Sequence, residues 1–111
     1  MQGARESCMK VMWEILVPTV SNEGKPFRKR YHKVWDRKVQ EFSDGMTILT
    51  PAKGTWISPD KRIFEERMIP VRFIATKEEA EQIVDYTLKY YNQEAVLCYQ
   101  ISSEIIMRYK K

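Results

Sequence analysis

Histidine is nearly absent from this sequence of 111 residues, which has one, and cysteine and glycine are scarce, at two and four. Each scarcity excludes something. His32 and two cysteines far apart, Cys8 and Cys98, supply neither the close ligand spacing of a zinc site nor a disulfide framework. The glycines form no phosphate-cradling loop, and no serine sits in a nucleophile elbow. No apolar run approaches the roughly 18 to 20 residues that cross a bilayer. The opening, Met1 to Cys8, has no apolar stretch ahead of a small-residue cleavage site. The expectation is a soluble, cytoplasmic protein with no leader, cofactor, metal or membrane association.

What is present is enough for one packed domain: 43% apolar and 12% aromatic residues for a core, and 31% charged residues to solvate it. The sequence predicts a flexible tail over residues 1–9 and a single domain over 10–111. From Lys10 to Pro18 the apolar pattern has a period of two, with Val11, Trp13, Ile15 and Val17 opposite Met12, Glu14 and Leu16, which is a strand. A helix follows from about Pro26, its apolar stripe Phe27, Tyr31, Val34, Trp35 and Phe42, closing at Ser43-Asp44-Gly45 with Gly45 as a left-handed cap. Lys38 falls inside that stripe and is expected to snorkel along its stem. Met46–Thr50 and Thr55–Ser58 form a strand interrupted at Pro51–Gly54, and Ser58-Pro59-Asp60-Lys61 is a turn. A long strand runs from Arg62 to about Ala75, with Glu66 and Arg67 on opposite faces and Pro70 marking a bulge or an edge.

Thr76-Lys77-Glu78-Glu79 is a capping box that opens a second helix, which runs to about Asn92 and turns Ala80, Ile83, Val84, Thr87, Leu88 and Tyr91 inward. Glu94–Ile101 makes a last strand, which Glu104–Tyr109 extends or follows with a short fifth. Strand, helix, strand, strand, helix, strand with right-handed crossovers gives an α+β, ferredoxin-like βαββαβ sandwich, an antiparallel sheet with both helices on one face. Its other face would carry Met12 or Trp13, Met68, and Leu97 or Tyr99, too apolar to leave in water. A face-to-face homodimer enclosing a cavity between two sheets is the simplest cover.

Three blocks, Phe42-Ser43-Asp44-Gly45-Met46-Thr47, Gly54-Thr55-Trp56-Ile57-Ser58-Pro59-Asp60 with Glu66-Arg67 following, and Gln93-Glu94-Ala95-Val96-Leu97, together resemble a family of small bacterial proteins. That family is a domain of unknown function, many of its members lipoprotein-like, with a ferredoxin-like fold. The resemblance spans residues 42 to 97 and implies that fold with no settled activity. The missing leader and the basic first helix set this sequence apart from the family's exported members.

Most polar residues of those blocks have structural work available, as helix ends and turns. Glu66 and Arg67 do not, because a charge in mid-strand on a face destined for burial needs a partner. With Trp56 and Tyr99 they are the ligand or interface candidates, and Glu14 or Arg72 would supply an intersubunit ion pair. His32, with Asp36 four residues on, is placed beside the apolar stripe as a surface residue, and Cys98 in the core. Lys25, Arg28, Lys29, Arg30, Lys33, Arg37 and Lys38 face Asp36 alone between residues 25 and 38, a local +6 that leaves −2 for the rest of a chain of net +4. Of these, Arg28, Lys29, Arg30 and Lys33 are the candidates for meeting an acidic partner. The aromatics beside them are expected on the buried side, which disfavours nucleic acid. Ile63-Phe64-Glu65-Glu66-Arg67-Met68-Ile69 also lacks the glycines of the RNA-recognition motif.

Three functions follow, in this order. The first is a non-catalytic dimeric domain binding a small molecule or protein at the sheet face or dimer cleft. The second is a small dimeric α/β-barrel enzyme with Glu66, Arg67, Tyr99 or Trp56 turned into the cavity. The third is electrostatic binding of nucleic acid or another acidic partner by the first helix.

Overall fold

The computed structural model describes residues 9–110. Residues 1–8, with Cys8 and most of the expected tail, lie outside the described residues. Strand β1 (Val11–Pro18) leads through helix α1 (Lys29–Gln40) to β2 (Gly45–Ile48), β3 (Ala52–Ile57) and β4 (Ile63–Ala75), then helix α2 (Lys77–Tyr90) and β5 (Cys98–Ser102). The strands form one antiparallel sheet in the order β2-β4-β1-β5, with β3 paired to β4 beyond the end of β2. This is the α+β ferredoxin-like arrangement expected. No helix among the described residues is long and apolar enough to cross a membrane.

Alternation along the two central strands decides where the core lies. Ile15 and Val17 of β1 and Val71, Phe73 and Ala75 of β4 point to the helices, where Trp35, Val39, Ala80, Ile83 and Tyr91 close over them. Trp13 shares that side, its indole N–H donating to the Ala75 carbonyl at 2.9 Å. Met12 therefore belongs to the opposite, open face. Trp35 donates to the Thr87 hydroxyl at 2.9 Å, which itself donates to the Ile83 carbonyl at 2.6 Å, so the polar atoms between the helices are satisfied.

Several boundaries differ from those read in the sequence. Helix α1 is shorter at both ends, and no left-handed residue closes it: Glu41, Phe42 and Ser43 donate back to Lys38 and Val39. Gly45 begins β2 instead, because the Asp44 amide is already bonded to the Ile74 carbonyl and the chain has joined the sheet. Val34 is 45% exposed, outside the buried stripe. Lys38 does snorkel, its ammonium 5.7 Å from the Phe42 ring, 5.9 Å from Tyr86 and 3.5 Å from Glu41. At the other end β5 starts at Cys98 rather than Glu94, and Glu104–Tyr109 forms no strand.

Pro70 is neither at an edge nor in a bulge of its own strand. Its pairing with β1 is continuous, Leu16 opposite Pro70. Its carbonyl accepts from the Leu49 amide at 2.9 Å, so its nitrogen also faces the β2–β3 side. There Leu49, Thr50 and Pro51 oppose only Ile69 and Pro70, and the irregularity falls in the neighbouring edge where no donor is wanted.

The capping box is formed in full. Thr76 accepts from the Glu79 amide at 3.1 Å, and Glu79 accepts from the Thr76 amide at 2.8 Å. Thr76→Ala is expected to lower stability by about 1 kcal/mol, and Thr76→Ser to be near neutral, as read from urea midpoints.

Candidate functional site

Beyond the helices, β3 and β4 run on as a two-stranded arm, with Ile57 and Ile63 paired and exposed at its tip. The open face of the whole sheet is built from alternate residues. Along β4 it shows Phe64, Glu66, Met68, Pro70, Arg72 and Ile74, the side opposite Val71 and Phe73. Two polar places interrupt this apolar face.

The first is a row across four strands. Register sets Thr47 beside Arg72, Arg72 beside Glu14 and Glu14 beside Tyr99. The Glu14 carboxylate, 11% exposed, accepts from Arg72 Nε at 2.9 Å and from the Tyr99 hydroxyl. Burial alone would raise the pKa of this acid, but the bonds from Tyr99 and Arg72, with the charge of Arg72, hold it below the usual carboxylate value. Tyr99 moves the other way: its bond to Glu14, then burial, push the phenol up to about 12. Sequence reading placed Glu14 and Arg72 across a subunit interface as partners for Glu66 or Arg67. They pair with each other inside one chain.

The second place is on the arm. Trp56 and Phe64 are stacked, centroids 4.6 Å apart and planes 16° from parallel, with the Arg62 guanidinium 5.4 Å from the Phe64 ring. Glu66 is half-buried one alternate position along, directly across from Gly54, over which the Met68 methyl lies. No ion pair or side-chain hydrogen bond engages Glu66 among the described residues. Of the four ligand candidates, Trp56 and Glu66 thus come together. Tyr99 lies on the same face but about 20 Å away, six residues of strand rise between the Glu66 and Arg72 rows. Arg67 is exposed on the opposite face, beside Lys53 and Glu65, and is not part of this group.

A third cluster lies between the helices. The Tyr91 hydroxyl is 2.6 Å from His32 Nδ1, so His32, half-buried beside the apolar stripe, is engaged rather than free. Burial lowers its pKa despite Asp36, and burial raises Asp36 itself. The ring shares a hydrogen bond with a buried phenol whose own ionisation is strongly opposed, first by burial and then by Asp36. Cys98 is half-buried on the helix side of β5, and burial pushes its thiol up to about 11. Arg28, Lys29, Arg30 and Lys33 are all exposed on α1. Among the described residues no three metal-ligating side chains converge.

No family model matches the sequence, and no curated protein does. Solved structures do match, over nearly the whole chain. CutA1 from the psychrotrophic bacterium Shewanella sp. SIB1 superposes with a TM-score of 0.63 at 8% identity, over 93% of this chain and 87% of its own. The chain is similar in fold to CutA1. A periplasmic divalent cation tolerance protein, CutA from Archaeoglobus fulgidus, gives 0.62 at 13% identity over 93% and 89%. A phage SAM lyase, solved with S-methyl-5'-thioadenosine, gives 0.59 at 11% identity over 82% and 79%. At such identities the likeness is one of fold. The fold implied by the three sequence blocks is therefore present, while the blocks themselves have no matching family model.

Proposed function

We propose that the chain is a non-catalytic binding domain whose open sheet face takes a small ligand through the Trp56–Glu66 patch. The observation that carries this is Glu66: a half-buried carboxylate with no side-chain partner, next to an aromatic ring that is still 40% exposed. A carboxylate so placed is ready to accept bonds from hydroxyl or amino groups, and Trp56 offers a flat ring a surface to stack on. A ligand of the nucleoside kind carries both. The complex of the phage SAM lyase with S-methyl-5'-thioadenosine, a nucleoside on a similar fold, supports the choice. Binding rather than turnover is favoured because the usual reactive groups are engaged: His32 holds Tyr91, Tyr99 holds Glu14, and the Cys98 thiol is pushed up by burial.

A homo-oligomer belongs to the same reading. On the open face the exposed Trp56, Leu97 and Ile101 leave more apolar surface than a small monomer keeps in water. Face-to-face pairing of two copies covers it and turns the open face into a cleft. Native mass spectrometry gives the subunit count and the mass of any retained ligand together.

Adenosine and S-methyl-5'-thioadenosine are the probes for a thermal-shift titration. Ligand at about 100 times its Kd adds ~2.7 kcal/mol of stability, which is on the order of 10 °C in Tm for a domain of this size. Glu66→Gln and Trp56→Ala are expected to remove the shift, and Arg67→Ala to leave it intact. A Tm unmoved by either nucleoside, or a shift that survives Glu66→Gln, removes this reading.

A further inference from the structure

The surface of α1 carries a different kind of site. Six cations, Lys25 and Arg28 just before the helix and Lys29, Arg30, Lys33 and Arg37 on it, are exposed, and none forms an ion pair among the described residues. Lys29, Lys33 and Arg37 recur every four residues, one charge per roughly 6 Å of helix. The helix opens with no acidic residue in its first turn and no side-chain cap, so cations crowd the positive end of its dipole. That arrangement is unfavourable at the helix end and attracts an anion to it.

Beside the cations runs a groove of about 430 Å³ whose lining includes Phe27, Arg28, Arg30, Tyr31, Val34 and Tyr90. Phe27, Tyr31 and Tyr90 belong to a ladder of near-parallel rings that continues beneath it to Tyr86. Phe27 stacks on Tyr31 at 5.2 Å, Tyr31 on Tyr90 at 4.2 Å, and Tyr90 on Tyr86 at 5.3 Å. Tyr31 and Tyr90 each donate a hydroxyl to the other's carbonyl, which fixes the rings in place. The sequence reading places Phe27 and Tyr31 on the buried side. Phe27, Tyr31 and Tyr90 are in fact only half-buried, and their exposed parts open into the groove next to two arginines.

We infer that this face of α1 is a docking surface for single-stranded nucleic acid. Phosphates meet these cations, and unstacked bases meet the ring edges that open into the groove. An acidic peptide matches the charge but brings no planar rings for the ladder. A duplex keeps its bases stacked and away from it. No element of the groove provides a donor–acceptor pattern for one base, so the expected binding has little sequence preference.

The test is fluorescence anisotropy with labelled oligothymidine, titrated over a range of salt concentrations. Six phosphate contacts predict a log–log salt slope of about −4. Arg28→Glu with Arg30→Glu is expected to weaken binding more than about tenfold and to make the slope shallower by roughly 1.4, two contacts' worth. Both side chains are exposed, and an unchanged circular dichroism spectrum shows that the fold is kept. Lys53→Glu with Lys61→Glu, cations away from α1, is expected to leave binding nearly unchanged. An abasic strand of equal length is expected to bind roughly tenfold more weakly with the same slope. The inference is overturned by no binding at low salt, by equal loss in the two double variants, by equal affinity for the abasic strand, or by equal displacement with polyglutamate.

Discussion

Replacing Trp35 by alanine is expected to cost about 4 kcal/mol, the largest loss of any single substitution considered for this chain. Trp35 is 1% exposed, and with Val39 it is one of only two residues by which α1 is fully anchored. Truncation empties the space between α1, α2 and the sheet and removes the bond to Thr87. A domain of this size has in all about 5 to 15 kcal/mol of stability, so much of it is lost and α1 loses its hold first. Trp35→Phe keeps most of the ring, and Thr87 keeps its bond to Ile83, so a cost of about 1 to 2 kcal/mol is expected there. Val34→Ala, one residue away but exposed, should stay within about 0.5 kcal/mol. Urea midpoints of the three variants decide it, and a loss under about 1 kcal/mol for Trp35→Ala would mean that α1 does not depend on this ring.

Arg72→Met is expected to cost about 2 kcal/mol at neutral pH and progressively less as the solution is acidified. The figure is below that of a fully buried pair because the Arg72 side chain is 47% exposed and partly screened. The reason for the pH dependence is linkage. Glu14 is held below its ordinary pKa of 4.5 in the folded chain, so its contribution is present above that value and is lost as pH falls through the folded one. Tyr99 is raised from 10.0 to about 12, so its contribution is complete below 10.0 and is lost as pH rises toward 12. One carboxylate and one phenol that bind each other thus contribute to the loss of stability on both flanks of a neutral plateau. Tyr99→Phe should lessen the alkaline fall, to which the buried Tyr91 phenol and Cys98 thiol also contribute, and move the acid fall to higher pH, because Glu14 loses the hydrogen bond that most favours its charge. Urea unfolding across a pH series tests this, and unchanged limbs in Tyr99→Phe would assign them to other groups.

The parts of this structure that were legible in sequence are those fixed by neighbours along the chain. The alternation of β1, the capping box at Thr76 and the turn at Ser58–Lys61 each depend on residues within a few positions, and each formed. So did the opposition of Glu66 and Arg67, since a strand's period of two needs no knowledge of its partner. Gly45 was misplaced because local rules favour glycine as a helix cap, whereas here β4 had already captured the Asp44 amide. Pro70 was read as a bulge or edge because its compensation lies in Leu49–Pro51, on another strand. The Glu14–Arg72–Tyr99 row needed the register of three strands, which no local pattern encodes. The contact between His32 and Tyr91, and the opening of the groove beside Tyr90, needed the helix packing as well. Of the ligand candidates Trp56, Glu66, Arg67 and Tyr99, only Trp56 and Glu66 are brought to one place.

The position of β1 at the middle of the sheet has a consequence for how the chain acquires its shape. Its two neighbours, β4 and β5, are both encoded far downstream, with Glu14 lying 58 residues from Arg72 and 85 from Tyr99. Closing loops of that length is slow compared with forming the β3–β4 hairpin or either helix. During synthesis β1 emerges ahead of both its partners and remains an unpaired, alternately apolar strand until β4 has emerged, with its second edge open until β5 follows. The segment on which the finished molecule centres is therefore the one most in need of protection while the molecule is being built.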